Sequence, residues 1–520
     1  MRYRLGIDVG GTNTDAVVLD EGNRLLAKHK TPGTPDVITG IAEAVSQVIA
    51  EAGIEARTIS HAMLGTTQVT NAIIERKGLG RVAAIRLGAP ATEAIKPLAA
   101  WPPDLRRRVE GSMAILPGGV EYDGRPISAF DEVAVRRAVQ EARSGAEAYA
   151  ITSVFSPVRD VDERRTAEII AEDAGDDVPV SISSEIGSIG LLERENATIL
   201  NAAVMAVARR VAAAFREALD PLGIRAQLFL TQNDGTLMSL DYATRYPILT
   251  IACGPTNSIR GAAFLTGMAN ALVIDVGGTS SDVGILSGGF PRESALAVEI
   301  GGVRTNFRMP DLISIGLGGC SIVHWDQEGN VQIGPESVGH AIQREALCFG
   351  GNTPTMTDVA VARGMAQLGD PSRIDISPDV LESVYARAVA MIEDAVDRMK
   401  TSAAAVPLIA VGGGSILLPD TLSGVSEVHK PAHFDVANAI GAAISQVSGE
   451  VDRIFALENR SREDALRSAQ EQAFSQAVRA GADPGSLELI ELEEIPLAYL
   501  PGNAVRLRAK VAGRLKTEEV

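Results

Sequence analysis

One stretch of this chain occurs twice. Near the start it reads Gly6-Ile7-Asp8-Val9-Gly10-Gly11-Thr12-Asn13-Thr14-Asp15, and it returns as Val273-Ile274-Asp275-Val276-Gly277-Gly278-Thr279-Ser280-Ser281-Asp282. Both copies spell D-V-G-G-T-x-x-D, and extended through Leu19 and Leu286 they agree at eight of fourteen positions. An apolar run enters each Gly-Gly turn (Leu5 to Val9; Leu272 to Val276) and another leaves it (Ala16 to Leu19; Val283 to Leu286). That is the pattern of a β-hairpin, here duplicated.

The residue types suit a phosphate. Glycines let the backbone take positive φ and come close to a ligand, and successive N–H groups in such a turn make an anion-binding nest. Gly10, Gly11, Thr12, Asn13 and Thr14 in one copy, and Gly277, Gly278, Thr279, Ser280 and Ser281 in the other, supply donors without negative charge. Asp8 and Asp275 end their strands at the turn, where a carboxylate holds Mg²⁺ beside a phosphate, directly or through water. Two such hairpins half a chain apart suggest two lobes gripping one polyphosphate from opposite sides.

At 520 residues the chain has room for two to four domains, and its 46% hydrophobic content with only 4% aromatics favours tightly packed α/β layers. Sixty-six acidic against 48 basic residues give a net charge of -18, which argues against nucleic acid or an anionic membrane as partner. Cys253, Cys320 and Cys348 are too few and too scattered for a disulfide framework or a C-x-x-C metal site. The chain passes from Met1-Arg2-Tyr3-Arg4 straight into a strand, leaving no room for a signal peptide. Leu200 to Phe215, the longest apolar helix candidate, contains Arg209 and Arg210 and falls short of the ~20 residues that span a bilayer. A cytoplasmic protein is expected.

Along the chain, Thr34-Pro35-Asp36 reads as the cap of a helix that Gly53 closes. Leu64-Gly65-Thr66-Thr67 through Asn71 is a hydroxyl-rich loop at a helix start, read first as a capping turn and alternatively as a substrate contact. Strands and helices alternate from 81 to 183, with 88–128 expected as loops and short strands. A helix over Leu192 to Leu219, carrying Glu193-Arg194-Glu195-Asn196, looks suited to cross between lobes. Cys253 is read as a buried thiol before a nucleophile, and Asp358 as an N-cap before a metal ligand. The glycine turn at 316–321 either approaches the ligand or simply joins strands.

The strand Leu408 to Val411 runs into Gly412-Gly413-Gly414-Ser415, a motif that brings backbone flush against a flat group such as a base and its sugar. Residues 451–520 read as a small α+β subdomain. There is no P-loop, no Rossmann fingerprint after the first strand, no convincing histidine metal set and no nucleophile elbow.

In this order, two D-x-G-G-T hairpins and a Gly-Gly-Gly-Ser motif resemble the ATPase superfamily of sugar and acetate kinases, heat-shock ATPases and actin. Within it the chain is similar to the A subunit of the hydantoinase/oxoprolinase family. That likeness is carried by the two hairpins and Gly412 to Ser415, by Gly65-Thr66-Thr67 with Asn71 and Glu75 to Gly78, by Glu193 to Asn196 with Asn201-Ala202, and by Ser258 to Ala263. It spans most of residues 1–450. Family members often have a histidine where this chain has Leu64, and the chain is shorter than the usual A subunit.

The resemblance implies an α/β fold of two ribonuclease-H-like, actin/sugar-kinase-type lobes around an interlobe nucleotide cleft, with lobes at 1–192 and 193–450 and the small C-terminal subdomain at 451–520. It implies ATP and Mg²⁺ as cofactors and ATP-dependent hydrolysis of a cyclic amide of the hydantoin or 5-oxoproline type. Asp8 and Asp275 would be the catalytic, metal-side residues, with Asp15 and Asp282 bracing the hairpins. A B-type hydantoinase subunit and a homo-oligomer stay open as partners. A small-molecule kinase of the same fold and an ATP-driven activator of a partner enzyme are the alternatives.

Overall fold

The computed structural model describes residues 2–33, 37–294, 297–326, 329–458, 460–498 and 503–516. Each hairpin heads its own sheet. The first is Tyr3–Val9 against Asn13–Leu19, with Asp8 opposite Asp15 and Val9 opposite Thr14. The second is Ala271–Val276 against Ser281–Ser287, with Asp275 opposite Asp282 and Val276 opposite Ser281. The register is the same in both, as a duplicated sequence requires.

The first hairpin lies in a nine-stranded sheet ordered Glu488–Pro496, Val505–Gly513, Val447–Phe455, Leu237–Ser239, Gln227–Thr231, Ile59–Thr66, Tyr3–Val9, Asn13–Leu19, Leu25–Pro32. The second lies in a sheet ordered Phe290–Pro291, Ser281–Ser287, Ala271–Val276, Val406–Val411, Val425–His429, with Leu312–Ile315 paired to Ser281–Ser287. A third, all-parallel sheet runs Glu110–Pro117, Val82–Ala89, Ala148–Ser153, Val180–Ile182.

This arrangement corrects two expectations. The region 451–520 is not set apart: its strands extend the first hairpin's sheet, and Ala465, Ala469, Ala473 and Ala477 of the Arg462–Ala480 helix share a core with Leu5 and Ile7. The stretch 193–450 likewise gives Gln227–Thr231 and Leu237–Ser239 to that sheet. Alternating patterns locate strands but do not name their neighbours. The segment 88–128 also holds a helix, Pro103–Val109, opened by proline in its first turn. The expected cap at 34–36 lies outside the described residues, and the helix after it runs Val37–Ala52.

The long helix, Leu191–Leu219, is largely buried and joins two cores: Leu200 and Val204 pack with Val82, Ala148 and Val303, whereas Phe215 and Leu219 pack with Leu5 and Ile7. With its continuation to Leu222 it is long and apolar enough to cross a membrane by length and composition, yet 67% of its most apolar window is buried inside the protein. Its polar residues are satisfied internally. Buried Glu195 accepts from fully buried Arg86 Nε at 2.8 Å, and Arg194 donates to the Ser153 carbonyl at 2.7 Å and to Ser183 Oγ at 3.0 Å. The Glu193-Arg194-Glu195-Asn196 stretch therefore anchors the third sheet to the helix.

Two helices of small residues, Cys253–Thr266 and Ala437–Ile444, cross close behind the hairpins. A Cβ on Gly261 would meet the Ala437 carbonyl oxygen at 1.9 Å, and one on Gly441 would meet that of Asn257 at 1.9 Å. Only glycine permits this approach, and it delivers Asn257, Ser258 and Asn438 to the hairpin aspartates.

Candidate functional site

The two turns close in the same way. Gly10 N donates to Asn13 O at 3.0 Å, and Gly277 N to Ser280 O at 2.9 Å. None of Gly10, Gly11, Gly277 and Gly278 has positive φ, so the conformational reason expected for them is not the operative one. Space is. A Cβ on Gly278 would sit 2.6 Å from Thr12 Oγ1 of the opposite hairpin, while one on Gly11 would meet nothing within 4 Å. The hairpin tips thus approach each other at Thr12 and Gly278, while fully buried Ser281 donates to the Leu317 carbonyl and the Thr279 hydroxyl lies 3.2 Å from that of Ser337.

Behind the turns sit the carboxylates. Asp8 is buried and accepts from Asn438 Nδ2 at 2.8 Å. Burial, with the neighbouring charges of Asp15 and Asp275, pushes its carboxyl up to about 7. The Asp275 charge contributes to the rise at Asp8, after burial and Asp15. Asp275 accepts from Ser258 Oγ at 2.5 Å, and burial raises its pKa against the opposing effects of Ser258 and Lys30. Asp282 is raised to about 6, first by burial. Asp15 pairs with Lys30 and accepts from Asn438 Nδ2 at 3.1 Å; Asp282 accepts from the Ser314 hydroxyl.

Gly412-Gly413-Gly414-Ser415 packs against the second turn. Gly412 has φ +83°, and its Cβ would collide with Asp275 Oδ1 at 2.1 Å. A Cβ on Gly413 would meet nothing within 4 Å, leaving that face open to a ligand. The motif enters a short 3-10 turn, Gly413–Leu417, in place of a full helix. The glycine turn at 316–321 supports the second hairpin, since Gly319 N and Cys320 N donate to Gly277 O and Gly278 O at 3.0 and 2.6 Å.

Other expectations resolve structurally. Asp358 completes a capping box with Thr355 and also accepts from Cys348 N at 2.8 Å. Cys253 is buried, its thiol pushed up to about 11 by burial and turned to the Thr66 carbonyl, so it stays protonated and is no nucleophile. Thr67 stands at the N-cap of Gln68–Glu75 without a side-chain cap bond, its hydroxyl accepting from Asn71 Nδ2 at 3.3 Å. Sequence reasoning did not assign Lys30, Asn438, Asn257 or Ser258 to the site. A polar residue alone among alanines and glycines, as Asn438 is, was the available signal.

Among the described residues no three His, Cys, Asp or Glu side chains converge as a metal cage. The hard-oxygen pair Asp8 and Asp275 instead fits the way Mg²⁺ is held beside phosphates, by one or two carboxylates with water and phosphate oxygens completing the octahedron. Burial first, and then the charges of Asp15 and Asp275, raise Asp8, and a cation beside it would offset both.

Fold and site together define an α/β protein with two like glycine hairpins, one in each of two sheets. Residues 4–174 match the model of the hydantoinase/oxoprolinase N-terminal region, and residues 194–367 match that of hydantoinase/oxoprolinase. The chain belongs to the hydantoinase/oxoprolinase family. It is 28% identical over 479 residues to the caprolactamase alpha subunit of Pseudomonas jessenii, covering 85% of this chain and 66% of that one. It is 28% identical over 396 residues to the acetophenone carboxylase gamma subunit of Aromatoleum aromaticum, covering 69% and 53%. The chain thus spans between half and two thirds of these curated relatives.

Its fold is that of the solved ATP-dependent caprolactamase from Pseudomonas jessenii (TM-score 0.73, 21% identity, 99% of this chain and 88% of that one). It is equally that of nucleotide-free acetone carboxylase (TM-score 0.71, 18% identity, the same coverages).

Proposed function

We propose that this chain is the ATP-using component of an enzyme that hydrolyses a cyclic amide of the hydantoin or 5-oxoproline type. Its two halves form ribonuclease-H-like lobes of the actin and sugar-kinase type, with the nucleotide between them. The observation that carries the reading is the apposition of the duplicated hairpins at Thr12 and Gly278, with Asp8 behind them and the Asp275 charge contributing to its rise. That geometry suits a single polyphosphate held from both sides.

An unstrained lactam resists water because amide resonance makes its carbonyl a poor electrophile. Transfer of the γ-phosphoryl of ATP to the carbonyl oxygen gives an imidate phosphate and ADP. Water then adds to the activated carbon, the ring C–N bond breaks to leave a free amine and an acyl phosphate, and a second water hydrolyses the acyl phosphate to the carboxylate and inorganic phosphate. The protein's contribution is positioning and charge neutralisation. Gly10 to Thr14 and Gly277 to Ser281 hold the phosphates, Gly412 to Ser415 backs the nucleoside, and Asp8 and Asp275 hold Mg²⁺. When bound, Mg²⁺ offsets charge developing on the transferring group. Asn438 and Ser258 fix the two carboxylates, and Lys30 pairs with Asp15.

No hydrolytic base accompanies these groups among the described site residues, and the relatives bear subunit names, which supports a second, B-type subunit as partner. Three buried free thiols suit a reducing cytosol. The acetophenone carboxylase relative supports a second reading, in which the same site uses ATP for a carboxylation in place of a hydrolysis.

The test is an NMR assay of hydantoin, 5-oxoproline and caprolactam with MgATP, and of acetophenone with bicarbonate, each with and without the candidate partner. Ring-opened product in step with inorganic phosphate is expected. Stable phosphoester would make the chain a kinase, slow partner-dependent ATP hydrolysis alone would make it an activator, and either result overturns the proposal.

A further inference from the structure

Away from the hairpins, the 183–188 loop before the long helix, residues 306–308, the Val447–Phe455 strand and the Arg462–Ala480 helix enclose a cavity of about 400 Å³. No residue of 8–15, 275–282 or 412–415 lines it. Its wall carries Arg164, Arg308, Arg453 and Arg479.

The wall sets four carboxylates, Asp160, Glu185, Glu450 and Asp452, against these four arginines, and most of the guanidinium groups already share a carboxylate. Asp160 lies 2.8 Å from Arg164 and 3.3 Å from Arg453. Glu185 is reached by Arg245 at 3.0 Å and by Arg164 at 3.7 Å. Asp452 accepts from Arg506 Nε at 2.7 Å with Arg508 at 3.9 Å. Arg308 pairs with Glu293 at 2.8 Å and with Glu450, yet its buried Nε and Nη1 have no aligned acceptor. Burial pushes the Glu450 carboxyl up, which weakens it as a counter-charge. Arg479 is exposed, has no carboxylate partner among the described residues, and acts on the phenol of Tyr242. The Tyr242 and Tyr246 rings, 4.6 Å apart and tilted 47° to each other, give one side of the cavity an aromatic surface.

We propose that this cavity binds a small organic carboxylate, with its anionic end on Arg479 and Arg453 and its carbon skeleton against Tyr242 and Tyr246. Guanidinium forks match a carboxylate with two parallel hydrogen bonds. The volume suits a small organic acid. A dianionic phosphate is disfavoured, because Asp160, Glu185 and Asp452 share the wall and repel a second charge. The occupant ties the C-terminal strand and helix to the loop that starts the long helix.

Calorimetry on the full chain, with the monocarboxylates butyrate and benzoate as probes and inorganic phosphate for comparison at constant ionic strength, tests the site. Saturable one-to-one binding of at least one acid is expected, weakened about tenfold or more by Arg479→Ala and partly restored by Arg479→Lys. MgATP affinity stays unchanged in the alanine variant. Absence of saturable binding by both acids, unaltered binding in Arg479→Ala, or tighter binding of phosphate than of either acid would overturn the assignment.

Discussion

Thr12 Oγ1 lies 2.6 Å from where a Cβ on Gly278 would stand, so the tips of two hairpins separated by more than half the chain are in contact. The glycine keeps the gap between them at the width of the turn. Gly278→Ala should wedge the hairpins apart without reaching the cores beneath. The expected result is a turnover drop of about a hundredfold, the scale of a 1 Å misplacement, with an unchanged circular dichroism spectrum. Turnover equal to the parent would mean that the contact is incidental.

Asp275→Asn keeps an acceptor for Ser258 Oγ and removes only charge. ATP turnover should fall about 10²–10³-fold while thermal stability holds or rises, because a buried carboxylate has been neutralised. Steady-state phosphate release and a melting curve measure the two effects. A normal rate takes Asp275 out of the catalytic set.

A side chain at Gly413 has open space around it, so Gly413→Val should fold as the parent does. It should weaken ATP binding, measured by calorimetry, by crowding the nucleoside. Equal affinity would remove the clamp role from Gly412 to Ser415.

Glu195→Ala leaves Arg86 buried and unpaired. Loss of about 3–5 kcal/mol in denaturant unfolding is expected, with unaltered ATP affinity per folded molecule. Weakened ATP binding in fully folded variant protein would restore a site role to that stretch.

His61 is buried beside Phe229, and burial followed by the Arg4 charge lowers its pKa from 6.5 to about 4. The unfolded chain therefore binds a proton at higher pH than the folded one. This contribution to stability is full above about pH 6.5 and is lost as pH falls toward 4, up to about 3 kcal/mol. His61→Leu should flatten the unfolding free energy over that window. An unchanged acid slope would show that His61 is not its source.

The duplicated hairpin was legible because its chemistry is local: eight shared positions predict two strands, a turn and a common register, and Asp8 and Asp275 fall at equivalent strand ends. Bounds of strongly patterned elements were legible too, as Pro378–Met399 and Arg462–Ala480 show. What stayed hidden depends on partners far away in sequence. The Val447–Phe455 strand joins the first sheet through a parallel contact at Leu237, which no local pattern announces. Glu195 looks like a surface charge until Arg86 arrives from 109 residues away. The turn glycines were assigned to positive φ, whereas Gly278 is required by a neighbour from the other hairpin.

The most direct test is a crystal structure with Mg²⁺ and a non-hydrolysable ATP analogue. The account predicts the β- and γ-phosphates between Gly10–Thr14 and Gly277–Ser281, the cation beside Asp8 and Asp275, and the nucleoside against Gly412–Ser415. A nucleotide touching one hairpin alone, or bound elsewhere, would contradict it.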